Sequence, residues 1–71
     1  MLDLTEIEAN IDTVKRELGK RQQVYPRLVM QQKMSQEEAD RHINEMLAVQ
    51  KTLYSHKMLL ETMIALIANA T

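Results

Sequence analysis

The chain has 71 residues, no cysteine and a formal net charge of −1. A chain this short buries too little apolar surface to be comfortably stable by itself, and without cysteine it has no disulfide to compensate. The near-neutral charge excludes a strong field that would recruit anionic membranes, and duplex DNA is not an expected partner; self-association is the favoured source of stability.

The composition favours an all-α protein. There is one glycine, one proline and no Phe or Trp, and most other residues are good helix formers. The N-terminus is acidic rather than basic, so no secretory signal is expected. The apolar stretch from Met58 to Ala70 is interrupted by Glu61 and is shorter than the ~20 residues of a membrane span. We therefore expect a cytoplasmic protein with no membrane partner.

The first predicted element is a helix over about residues 3–31. Apolar side chains recur in it at heptad spacing, with Arg21 as the only charged member of the seam. Pro26 removes a backbone hydrogen bond, but the heptad continues past it, which favours a kink over a break. Gly19 is interpreted as a point where a neighbouring helix approaches closely. The predicted seam is Leu4, Ile7, Ile11, Val14, Leu18, Arg21, Tyr25 and Leu28.

A turn over about residues 31–35 and a second helix over about 36–69 follow. Ser35 and Glu38 have the spacing of a capping box, which predicts where the second helix begins. A short turn between two long helices predicts an antiparallel hairpin, a single domain over residues 1–71. The predicted seam of helix 2 is Ala39, Met46, Leu53, Leu60 and Ile67 with His42, Val49, His56, Met63 and Ala70, and Ile43 and Ile64 lie on the line beside it.

The open end of this hairpin is predicted to be its most apolar part. Beyond Lys57 the second helix is apolar on nearly all sides, and one partner helix cannot cover so wide a surface. A monomer would expose a larger patch than soluble monomers usually tolerate. We therefore predict a homodimeric four-helix bundle joined at the open ends, with a tetramer as the alternative. The predicted oligomer interface is Leu4, Ile7, Ile11, Leu59, Leu60, Met63, Ile64, Leu66 and Ile67.

The sequence offers no arrangement typical of an enzyme. His42 and His56 both fall on the predicted inner seam, where a structural role is favoured over metal binding or catalysis. There is no glycine-rich phosphate loop and no serine or threonine with an obvious base. We expect no catalytic residues, no metal and no cofactor.

Candidate binding residues gather before the turn: Arg21, Tyr25, Pro26, Arg27 and Lys33. Arg21 and Tyr25 are i and i+4 neighbours and share a helix face. A guanidinium beside an aromatic ring can stack on a base or clamp a phosphate. It can equally form an ion pair with Glu38 or Asp40 across the turn and hold the hairpin closed, or contribute to a protein-binding epitope.

The segment from Arg21 to Ile43 resembles a recurring segment of small, mostly uncharacterised phage and prophage proteins. Their pattern is R-x-x-V-Y-P-x-x-V, a short glycine-containing turn, and K-M-[ST]-x-x-x-A-D-x-x-I. Gln32 stands where the turn glycine would be, so a left-handed backbone at that position is less favourable here than in the pattern. The matching residues are Arg21, Val24, Tyr25, Pro26, Val29, Lys33, Met34, Ser35, Ala39, Asp40 and Ile43.

The resemblance implies a helical phage accessory protein that acts by binding, for instance as an inhibitor, an adaptor or a counter-defence protein inside an infected or lysogenic bacterium. Binding to a host or phage protein is the favoured function. The alternatives are sequestration of a small phosphorylated or nucleotide ligand by Arg21, Tyr25, Arg27 and Lys33, and a purely structural oligomerisation unit.

Overall fold

Two helices form an antiparallel hairpin in the computed structural model, which describes residues 3–70. Helix α1 is Thr5–Met30 and helix α2 is Gln36–Ala70, and residues 3–70 contain no strand. Glu8 Oε1, near the start of α1, lies 3.8 Å from Lys57 Nζ in the second half of α2. The two helices therefore run in opposite directions. The predicted all-helical hairpin is confirmed, and the molecule is a rod of 60 × 17 × 13 Å.

The start of α1 is held by an aspartate. The Thr5 backbone N–H donates to Asp3 Oδ1 at 2.9 Å, and this hydrogen bond lowers the pKa of the Asp3 carboxyl. Glu6 and Glu8 follow in the first turn, where negative charge interacts favourably with the positive end of the helix dipole.

The core lies along the predicted seam of α1. Four of its members are buried and the other four are half-buried, so the heptad pattern of α1 is confirmed. The half-buried members are Leu4, Arg21, Tyr25 and Leu28. The buried side chains of the described chain are Ile7, Ile11, Val14 and Leu18 on α1 and Ala39 on α2.

The seam of α2 differs from the prediction. The side of α2 that packs on α1 includes Gln50 and Lys57, which are half-buried. The predicted place on the inner seam is wrong for five residues, which are exposed: Val49, His56, Met63, Ile67 and Ala70. Because α2 is apolar on more than one side, its periodicity does not select the side that faces α1. Long polar side chains can also bury their stems in a seam while their ends reach water.

Two expectations about α1 have different outcomes. The helix continues through Pro26 to Met30, so it is not broken there. Gly19, in contrast, is exposed, and a Cβ at that position would meet no atom within 4 Å. The predicted close approach at Gly19 is wrong, because α1 presents the neighbouring Leu18 to α2 and turns Gly19 away from it.

The turn ends α1 in a Schellman arrangement. Gln32 has φ 58°, the left-handed conformation that glycine favours at this point. The Lys33 N–H donates to the Leu28 carbonyl at 2.9 Å, and the Gln32 N–H donates to the Val29 carbonyl at 3.1 Å. These two bonds satisfy carbonyls at the end of the helix, so the left-handed turn forms even without glycine.

Ser35 caps the start of α2. The Glu38 N–H donates to Ser35 Oγ at 3.0 Å, which is the serine half of the predicted capping box. The Glu38 carboxylate points along the helix, with its Oε1 3.7 Å from His42 Nε2. The turn is therefore closed by local hydrogen bonds on both sides.

Replacing Gln32 with glycine should raise the free energy of unfolding by about 1 kcal/mol, because glycine has no Cβ to disfavour the left-handed backbone. Urea denaturation followed by circular dichroism measures the change. Gln31→Gly is the matched control: Gln31 has φ −82°, so glycine there should destabilise the protein by about 0.5–1 kcal/mol. Changes of the same sign in both variants would contradict the prediction.

Candidate functional site

A groove of about 210 Å³ lies beside the turn, between the last turns of α1 and the first turns of α2. It brings together residues from both sides of the turn. Three of the five predicted binding residues take part in it. The lining consists of Arg21, Gln22, Tyr25, Pro26, Val29, Gln36, Ala39, Asp40 and Ile43.

The floor of the groove is apolar. Ala39 is 4% exposed, and because its side chain is a single methyl it leaves a hollow between the two helices. The half-buried side chains of Tyr25, Val29 and Ile43 form the walls. A site with this floor can accept an apolar side chain from another molecule.

The rim of the groove carries opposite charges. Asp40 accepts a hydrogen bond from Gln36 Nε2 at 2.8 Å. Arg21 is half-buried, yet within residues 3–70 it forms no ion pair. The ion pair from Arg21 to Glu38 or Asp40, one of the interpretations drawn from the sequence, is therefore absent. The groove thus presents a guanidinium group that is not in an ion pair with any carboxylate of the described chain, although Asp40 lines the same groove.

The ring of Tyr25 packs against the ring of His42. The two ring centroids lie 6.1 Å apart, with their planes tilted by 54°. His42 itself lies between two carboxylates of its own helix, with Nε2 3.7 Å from Glu38 and Nδ1 3.7 Å from Glu45. This half-buried histidine supports one wall of the groove.

The remaining predicted binding residues lie elsewhere. Arg27 is exposed and, two residues after Tyr25 on a helix, points to the other side of α1. Lys33 lines a separate depression at the turn, together with Gln32 and Met34 among others. The predicted four-residue anion site thus does not converge on one point.

Sequence reasoning about charge and aromaticity missed the apolar part of the site, namely Val29, Ala39 and Ile43. The pattern of charged and aromatic residues contains no signal for them. As isolated residues they are indistinguishable from ordinary members of a helical seam.

The predicted oligomer interface divides into two groups. Ile7 and Ile11 are buried within the hairpin itself, and Leu4, Leu60 and Ile64 are half-buried there. The remaining four stay available on the surface of α2, with exposed fractions of 41% to 64%. They are Leu59, Met63, Leu66 and Ile67.

In the described part of the chain, no cluster of three or more His, Asp or Glu side chains could hold a metal ion. No helix found there has the length and apolar character needed to cross a membrane. No protein-family model, curated protein or solved structure matches the chain.

Proposed function

We propose that this chain is a non-enzymatic, phage-type accessory protein that acts by binding a protein of the bacterial host through the groove beside the turn. One observation carries the proposal: seven of the eleven residues that match the phage-protein pattern line this groove. These residues come from both helices and form one surface only after folding. They are Arg21, Tyr25, Pro26, Val29, Ala39, Asp40 and Ile43.

The chemistry of the groove favours a segment of a protein over a nucleotide. Its volume of about 210 Å³ is below the roughly 300–1,000 Å³ of typical small-molecule sites, but it suits one large apolar side chain. The unpaired guanidinium of Arg21 can bind a carboxylate through two parallel hydrogen bonds. The expected ligand is thus a segment with an apolar anchor next to an Asp or Glu.

We further propose that two hairpins associate into a homodimeric four-helix bundle in the cytoplasm of the host. The support is the exposed apolar surface of α2, where Leu59, Leu66 and Ile67 are 57%, 64% and 57% exposed. Joining the open ends covers this surface. It also leaves the two grooves at the outer ends of the bundle, free to bind a partner.

Affinity capture from a bacterial host lysate with mass spectrometry tests the binding function. Wild type should retain a stoichiometric host protein, and calorimetry with that purified protein should show Arg21→Ala weakening the affinity roughly thirtyfold or more, because a buried charge pair loses one partner. Arg27→Ala is the matched control. It removes the same side chain from outside the groove and should leave the affinity unchanged.

Two outcomes would contradict the proposal. One is repeated failure to recover a stoichiometric host protein. The other is equal binding by wild type and Arg21→Ala. Thermal stabilisation by millimolar nucleotides would instead support the small phosphorylated ligand.

A further inference from the structure

Three exposed apolar side chains of α2, Leu59, Met63 and Leu66, lie on a second line of heptad spacing. Their spacing alternates between four and three residues, the signature of a helix that packs along a seam. At 3.6 residues per turn this line lies about 120° around α2 from the side that packs on α1. We call it the second seam; its members Thr52, His56, Leu59, Met63, Leu66 and Ala70 are all exposed.

The second seam and both of its flanks are free of formal charge. Flanking positions of a heptad seam are often Glu or Lys, but here they are Leu53, Leu60 and Ile67 on one side and Ser55, Thr62 and Asn69 on the other. Between residues 52 and 70 the charged side chains are Lys57 and Glu61, and both lie away from this seam. Within α2, two identical surfaces of this kind therefore bring no like charges together. Asp3 and Glu6 of α1 lie at the edge of the surface, in a depression that His56 also lines.

The hairpin buries few apolar side chains by itself, and a second molecule could add to this buried surface. Five side chains are buried in residues 3–70, and Ala39 is the only one of them on α2. A chain of this size usually needs additional apolar contacts. A seam without formal charge, with Leu59, Met63 and Leu66 at its centre, offers nothing for a charged partner to recognise, whereas a second copy presents the same apolar centre.

We propose that the second seam of α2 packs against the second seam of a second copy, with the two α2 helices antiparallel. The two-fold axis crosses the seam between Leu59 and Met63. This inference rests on the homodimer proposed above and identifies its contact surface. A two-fold interface uses the same patch on both subunits, and antiparallel helices place opposite dipole ends side by side.

The heptad spacing fixes the layers of this interface. In antiparallel seams the two kinds of seam position face each other, so Leu59 packs against Met63 of the second copy and Leu66 against His56. At each end of the overlap, Thr52 of one copy packs against Ala70 of the other. On one flank, Thr62 of each copy faces Thr62 of the other across the axis.

Sedimentation equilibrium of the purified chain tests the surface. Wild type should be a dimer at micromolar concentration, and Leu59→Asp should weaken the dimer roughly a hundredfold or more, because a carboxylate would be buried without a partner. Met58→Asp is the matched control: Met58 is 68% exposed and Leu59 is 57% exposed, but Met58 lies outside the second seam. This variant should remain dimeric, with both variants helical by circular dichroism.

Cross-linking tests the direction of the helices. The chain has no cysteine, so Thr62→Cys introduces a single thiol, which a short bis-maleimide should link to its counterpart in the second copy. Ala48→Cys is the control. In the antiparallel dimer its two copies lie about 40 Å apart at 1.5 Å per residue, and no cross-link should form. Efficient linking of both variants would indicate parallel helices and overturn the arrangement.

A monomeric wild type, or equal loss of the dimer in Leu59→Asp and Met58→Asp, would overturn the inference. These measurements use the purified chain alone, so such a result would leave binding at the groove untouched. Conversely, Arg21→Ala should remain dimeric, and its failure to alter host-protein binding would count against the groove alone.

Discussion

Replacing Ile11 with alanine should lower the free energy of unfolding by about 2–4 kcal/mol, through lost apolar burial and the cavity left behind. Ile11 is 4% exposed and lies between the two helices, near the middle of the buried stretch of α1. The described core is small, so few neighbouring side chains can move to fill the space. A loss of this size is a large part of the stability of a typical small domain.

Urea denaturation measures this effect, with both variants compared at one protein concentration because self-association would make the stability depend on concentration. Met30→Ala is the control, since it also shortens a long apolar side chain but at a position that is 85% exposed. Its effect should stay within about 0.5 kcal/mol. Similar losses in the two variants would mean that α1 does not pack on α2 through the observed seam.

Replacing Pro26 with alanine should raise the free energy of unfolding by roughly 1–3 kcal/mol. Helix α1 runs through Pro26 without ending. A proline inside a helix cannot donate a backbone hydrogen bond, and its ring presses on the carbonyl of Gln22. Alanine restores the hydrogen bond and removes the steric conflict, so the helix should become more stable.

Thermal and urea denaturation of Pro26→Ala measure the gain in the free energy of unfolding. Arg27→Ala, at the adjacent position, is the control and should leave stability nearly unchanged. Pro26 lines the groove, so under the binding function proposed above the more stable variant should also bind its partner less tightly. Residues retained against stability are commonly found where function requires them. An unchanged stability would mean that contacts of the ring within the groove already offset its cost to the helix.

The candidate site shows where sequence reasoning succeeds and where it stops. Arg21 and Tyr25 could be placed together from their spacing, because neighbours four apart share a helix face. That Arg21 lacks a carboxylate partner could not be foreseen, because Glu38 and Asp40 are both near in sequence. Their directions depend on how α2 is rotated against α1, and in the structure they pair with His42 and Gln36 instead.

The sequence by itself determined the features that depend on local interactions: the seam of α1, the cap at Ser35 and the hairpin. Capping and heptad periodicity act over a few residues and can be read directly. Only the tertiary structure decided which side of α2 packs against α1. On that side Lys57 is half-buried, whereas His56 is exposed. The physical reason is that α2 has two apolar sides. Packing against α1 covers one of them, and the other is exposed.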